Sequence, residues 1–348
     1  MLRDRLLVAA LTACAALAGL GAPGDGRAGV LGKNRFHVVK RPAGKRPFRS
    51  RLRAPTRRNL RGIGLYHRAG TRPGEGGWGT AFLVARERDG TALVLTNAHV
   101  TDGLGVGTVS FGHEAGGGGV AASGVRLVAS STALDYALVR VALPPGARLP
   151  VLALSGDGAL PERVYSSGFD DLSAVNDDAD LGNFDWSERD RRELPALAGK
   201  GPVQSIQTGR VLLGGAARLI GGLRDPGGDA IAGEVARVTL DLGGIGGGSG
   251  RPIFSAADHR VVAIHSSSGI VSQPSADLDL TTAEGADAAG ASMVVPAHVI
   301  LGDLARLLAE GAIAGEDAAL VAKLLQRSGP LRSVSRTGSR SSNLKSAQ

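Results

Sequence analysis

Apolar residues in this chain come in short unbroken runs cut by polar turns, and that pattern limits the fold more than any other feature. Thr80-Ala81-Phe82-Leu83-Val84 and Ala92-Leu93-Val94-Leu95-Thr96 are two such runs, with the polar turn Arg86–Gly90 between them. The pair reads as a β-hairpin. Val106–Phe111, Val125–Ala129 and Tyr136–Val141 read as further strands, and Pro144-Pro145-Gly146 as a connection between domains. The second half repeats the texture, with strand candidates at Arg163–Ser167, Gly209–Leu213, Glu234–Leu240, Pro252–Phe254 and Val261–His265. Val299–Leu308 has helical periodicity and Glu316–Leu325 a weaker one. With 43% hydrophobic residues, only 3% aromatic ones and 53 glycines in 348 residues, the chain suits a β-rich fold with many turns better than a helical bundle. Two strand-rich halves and a closing helix suggest paired β-barrels.

Charge is split along the chain. Residues 31–62 hold twelve Lys or Arg and no acid, and residues 323–348 hold six and no acid, so the net +8 comes from basic ends on an acidic body. The high isoelectric point therefore does not imply a nucleic-acid-binding domain. Asp170–Lys200 reads as a solvated acidic loop, and its aspartate spacing does not match an EF-hand.

The N-terminus has charged residues, then an apolar run from Leu6 to about Leu20 with a small-x-small site at Ala16-Leu17-Ala18. This reads as a secretory signal, too short for a transmembrane span. Cys14 is the single cysteine and lies in a stretch similar to a lipobox, so a lipid anchor there is the second expectation. Without Cys14 the exported chain has no thiol and relies on its core alone, as in bacterial secreted or periplasmic proteins. The chain divides into a signal peptide (1–22), a basic linker or pro-segment (23–62), a first barrel (63–150), a second barrel with a C-terminal helix (151–312), and a helix with a basic disordered tail (313–348).

Three segments hold residues with chemistry. They are Thr96-Asn97-Ala98-His99-Val100, Leu134-Asp135-Tyr136-Ala137-Leu138-Val139 and Gly246-Gly247-Gly248-Ser249-Gly250-Arg251-Pro252. A serine hydroxyl is a poor nucleophile at neutral pH, needs a neighbouring base, and that base needs an anion to fix its tautomer. Asp135 at the start of a strand would be costly to bury alone, and His99 supplies a donor. Ser249 lies among glycines, as expected where backbone N–H groups must converge on one point; Gly247 and Ser249 are the natural pair of oxyanion donors. The order His, Asp, Ser differs from the α/β-hydrolase and subtilisin orders.

Taken together, the three segments resemble those of the trypsin-like (chymotrypsin-fold) serine peptidases in their bacterial, disulfide-free form, from about Ile63 to Leu308. The resemblance implies an all-β fold of two six-stranded antiparallel β-barrels with a C-terminal helix, the site in the cleft between them. Ser249 would be the nucleophile, His99 the general base and then acid, and Asp135 the orienting carboxylate, acting on peptide bonds through an acyl-enzyme. Two positions depart from the family's Gly-Asp/Asn-Ser-Gly-Gly-Pro pattern. Gly248 stands where Asp or Asn is usual, so the pairing of that Asp with a newly cut N-terminus, as in trypsin, is absent. Arg251 replaces a glycine, placing a cation near the nucleophile, either shaping the leaving-group side of the cleft or crowding it.

Gly243, six residues before Ser249, is not the aspartate that gives trypsin its basic preference. Ile264-His265-Ser266-Ser267-Ser268-Gly269 resembles the glutamyl endopeptidases, in which a histidine faces an acidic substrate side chain. His265, Ser266, Ser268 and Gly243 are the candidate pocket residues, with a Glu/Asp or Gln preference expected. No cofactor is implied, and His37, His67, His113, His259 and His298 show no metal-ligand spacing. The expected partner is a polypeptide substrate, with no nucleic acid, no transmembrane span and a monomeric state. A catalytically silent binding module on the same fold is the alternative.

Overall fold

The computed structural model describes residues 35–38, 52–68, 77–101, 107–112, 119–158, 160–172, 185–186, 192, 202–211, 218–220, 235–242, 247–268 and 292–331. The chain enters through strand β1 (Arg35–Val38) and helix α1 (Ala54–Leu60). Strands β2 (Ile63–Arg68), β3 (Trp78–Arg86) and β4 (Thr91–Thr96) follow, then the short helix α2 (Ala98–Thr101), β5 (Gly107–Phe111), β6 (Val120–Ser131) and β7 (Tyr136–Ala142). β2 to β7 close into an antiparallel barrel in the order β2-β3-β4-β7-β6-β5. The expected hairpin is β3–β4. Its turn closes with Asp89 accepting from the Thr91 N–H at 2.8 Å and Gly90 at φ +94°, a conformation that suits glycine.

The segment after β7 turns at Pro144–Ala147 and runs beside β3, where the Leu152 N–H donates to Leu83 O at 2.8 Å. Leu154 then bridges to Val261, so this stretch carries the chain to the second sheet as the prolines suggested. That sheet contains β8 (Arg163–Asp170), β9 (Asp185–Trp186), β10 (Val203–Val211), β11 (Arg218–Ile220), β12 (Val235–Asp241), β13 (Pro252–Ser255), β14 (Val261–Ser268) and β15 (Ser292–Pro296). Neighbours run β11-β12-β15-β14-β13-β8-β10-β1-β9, and β10 also meets β12 through Arg210↔Asp241 and Val211↔Leu240. Six of these strands thus return on themselves.

Helices α3 (Ala297–Ala309) and α4 (Gly315–Ser328) finish the described chain. α3 buries Ala297, Ile300, Leu301 and Leu304, one face of a 3.6-residue period. A continuous apolar cluster joins Ile63, Phe82 and Leu95 of the first barrel to Phe169, Phe254 and Ile264 of the second and to Leu304 and Leu324 of the helices.

Three expectations need correction. Residues 54–60, read as part of a basic linker or pro-segment with little periodicity, form α1; its Leu60 is buried, and Asn59 Nδ2 donates to His259 O at 2.9 Å. β1, from the same segment, pairs with β10 from Arg35↔Thr208 to Val38↔Ser205. The third strand of the second half begins at Val203 rather than Gly209, because Val203–Ile206 is buried against β8 despite its glutamine and serine. The expected acidic loop does not begin at Asp170, which is fully buried at the end of β8. The expected signal segment with Cys14, the tail after 331 and most of the 173–200 segment lie outside the described residues.

Candidate active site

β4 leads to His99, the candidate base. Its last residue, Thr96, is buried and donates to Thr80 O at 2.8 Å, and the chain then turns into α2, which holds His99. Asp135 ends a tight turn after β6, where its N–H donates to Thr132 O at 3.1 Å and its φ is +51°. Few side chains accept that backbone region readily, and aspartate is among those that do. Asn97 Nδ2 clamps the Asp135 carbonyl at 2.7 Å. From the next residue, Tyr136, the hydroxyl donates to Asp303 of α3 at 2.6 Å, anchoring the start of β7.

His99 Nδ1 lies 3.0 Å from both oxygens of the Asp135 carboxylate. The His99 N–H donates to Oδ1 at 3.2 Å, and Ser266 Oγ donates to Oδ2 at 2.6 Å. Asp135 is 5% exposed, so the anion is held by donors rather than by water. An acceptor at Nδ1 fixes the proton there and leaves Nε2 of the neutral ring with a lone pair. Arg237, buried on β12, donates Nη2 to Ala133 O at 2.9 Å, in the same turn as Asp135. Burial pulls its guanidinium down from the usual arginine value, an effect that the Asp135 charge only partly offsets.

Ser249 sits on the loop before β13. Its carbonyl accepts from Thr80 N–H at 2.8 Å, and Gly250 N–H donates to His265 O at 3.1 Å. Glycine is required at two positions here. Gly250, at φ +80°, would place a Cβ 2.2 Å from Thr80 O, and Gly247, at φ +82°, would place one 2.6 Å from the Trp78 indole nitrogen. The absent Cβ of Gly250 would also touch Thr96 Oγ1 and the Asn97 nitrogen, so the serine loop packs directly against the segment that leads to His99.

Arg251, expected near the nucleophile in the cleft, turns inward. It is 1% exposed and paired with Asp170. Ser266, a candidate pocket residue, also reaches Asp135, where β14 and β15 shift register between His265 and Ser267 and the bulge re-aims the extra residue. His265 is 4% exposed, and its Nε2 lies 3.2 Å from Ser292 Oγ. Ser292 donates its single proton to Leu242 O at 2.6 Å, so its oxygen accepts and Nε2 of His265 carries the hydrogen. Burial, the Arg251 guanidinium and His99 hold this ring well below the ordinary imidazole value. A substrate carboxylate would have to displace Ser292 to take that hydrogen. Ser268 lies on β14 opposite Ser292, and Gly243 is outside the described residues. No local pattern marks Arg237 or Asn97 in the sequence as partners of the Asp135 turn. Among the described residues no group of His, Cys, Asp and Glu could hold a metal, and no helix is long and apolar enough to cross a membrane.

Comparisons place these elements in a family. Residues 79–264 match the trypsin-like peptidase domain. No curated protein matches the chain. Among solved structures, the active form of the Rv3671c protease from M. tuberculosis is 17% identical, with 75% of this chain and 86% of that one covered and a TM-score of 0.46. An inactive form of the same protease is 17% identical, over 73% of this chain and 92% of that one, with a TM-score of 0.43. The matched domain spans more than half of the chain and contains His99, Asp135 and Ser249: this protein belongs to the trypsin-like peptidase family and is a serine-type peptidase.

Proposed function

We propose that this protein is an exported endopeptidase that cleaves polypeptides through Ser249, His99 and Asp135. The observation that carries this is the two-oxygen contact of the Asp135 carboxylate with His99 Nδ1, on the wall against which the Ser249 loop packs. His99 Nε2 takes the Ser249 proton as Oγ attacks the scissile carbonyl carbon. The electron pair of the C=O moves to oxygen, which the N–H groups of Gly247 and Ser249 receive. The imidazolium, stabilised by Asp135, then gives its proton to the departing amine as the C–N bond breaks. Water, deprotonated by the same nitrogen, hydrolyses the acyl-enzyme and restores Ser249. The preference for Glu, Asp or Gln rests on His265, and peptides differing only at that residue test it.

A fluorophosphonate probe decides the main reading. Labelling at Ser249 that disappears in Ser249→Ala supports it. A folded protein that takes no label overturns it in favour of a silent binding module.

A further inference from the structure

The nucleophile loop departs from its family pattern at Gly248 and Arg251, and in space the two departures are one. A Cβ on Gly248 would lie 2.0 Å from Arg251 Nη2 and 2.8 Å from its Nε, so the guanidinium occupies the room that a side chain at 248 would need. Gly168 of β8 gives way likewise: a Cβ there would lie 2.8 Å from Arg251 Cβ. The arm so accommodated is buried and ends on Asp170, itself held by Ser205 Oγ. Ser205 is in turn fixed through its carbonyl, which accepts from Ser167 Oγ at 2.5 Å. Burial pushes the Asp170 carboxyl up, while Arg251 and Ser205 pull it back toward the anion.

The other end of the arm acts on the loop. Arg251 Nε donates to Gly248 O at 3.1 Å, and the Arg251 backbone N–H donates to the same oxygen at 3.2 Å. In a trans peptide the C=O and N–H point in opposite directions. Fixing Gly248 O inward therefore turns the Ser249 N–H outward, away from Asp170. Ser249 N–H is one of the two donors in the proposed oxyanion hole. We infer that the buried Arg251–Asp170 pair is a positioning device that holds the Gly248–Ser249 peptide with its N–H presented to the developing oxyanion. Asp170 aims the guanidinium, and Nε aims the peptide. The inference rests on the proposed catalytic role of Ser249.

Removing one partner leaves a buried charge, so the test changes both. Full-length Asp170→Asn/Arg251→Met removes both buried charges and the side-chain donor to Gly248 O; its fold is checked by thermal midpoint and near-ultraviolet circular dichroism. Expected is a kcat about 10²-fold lower, the size found when an oxyanion donor is lost, with KM changed less than about threefold. Peptide-aldehyde inhibitors, whose adduct places an oxyanion in the hole, should weaken in parallel. Arg251→Lys provides the second arm: it keeps the charge opposite Asp170 but has no Nε to reach Gly248 O. The inference expects this variant to fold and still lose turnover. Arg251→Lys with kcat within about twofold of the parent, or a folded double variant with full turnover, overturns it. An unmodified protein that Ser249-directed probes fail to label overturns the catalytic reading instead.

Discussion

Asp135 concentrates the site's demands on one residue. Its left-handed backbone, its carbonyl on Asn97 and its carboxylate under three donors all fix one direction, toward His99 Nδ1. Asp135→Asn should therefore lower kcat by about 10⁴-fold, since an amide nitrogen facing Nδ1 selects the wrong tautomer. Ser266→Ala should cost about tenfold, the size of one charge-assisted hydrogen bond. Steady-state kinetics on one peptide, with stability matched, checks both; equal losses would contradict the ranking. His265 sets a pH dependence of stability. Its folded-state pKa lies below the ordinary 6.5, so the unfolded chain binds the extra proton. The contribution is complete above about pH 6.5 and is lost progressively as the pH falls from there through the lower folded-state value. His67 and His298 shift the same way through burial. The urea midpoint should drop between about pH 7.5 and 5.5, and less in His265→Gln; an unchanged midpoint would contradict it. At this scale the His99–Asp135 contact was legible in the sequence through the immediate neighbours of the two residues. The sequence did not show the Ser266 contact with Asp135, because one bulged residue exchanges the two faces of a strand. It misdirected Arg251 because its partner, Asp170, is 81 positions away in the chain.

Elements were legible where both faces of a strand are buried. β3 and β4 are apolar at nearly every position, and so stand out as runs rather than alternations. β10 was only partly seen because its buried Gln204, Ser205 and Gln207 are polar, their burial made tolerable by hydrogen bonds such as Gln204 Nε2 to Leu60 O at 3.0 Å. α1 was hidden by its arginines, since only Thr56 and Leu60 are buried. This helix meets the second barrel: Asn59 Nδ2 reaches His259 O at 2.9 Å and the Tyr165 hydroxyl at 3.3 Å. Burial raises that tyrosine's pKa to about 12. Leu60→Ala, at 2% exposure, should cost about 2–4 kcal/mol by denaturant titration, whereas a surface linker residue would cost almost nothing.

At the scale of the whole molecule, two kinds of contact tie the C-terminal helices to the first barrel. α4 contributes Leu320, Val321 and Leu324 to the apolar cluster shared by both barrels. Around this contact lies a clasp in which Arg126 reaches Asp317 at 2.6 Å, and Arg140 reaches Glu316 at 2.5 Å and Asp317 at 3.2 Å. The acids occupy the first turn of α4, where the helix dipole also favours them. The clasp is largely solvated, with Glu316 79% and Arg126 55% exposed on their side chains, so screening limits its worth. The buried leucines have no such limit. Leu324→Ala, at 1% exposure, should destabilise by about 2–5 kcal/mol. A double-mutant cycle on Arg140→Ala and Asp317→Ala should give a coupling of at most about 1 kcal/mol, falling further in high salt. Because one apolar cluster spans both barrels, Leu324→Ala should shift a single transition seen alike by circular dichroism and, in a Trp186→Phe background, by the fluorescence of Trp78 in the first barrel. Two separated transitions, or a clasp coupling larger than the leucine loss, would mean that charge rather than apolar contact joins the halves.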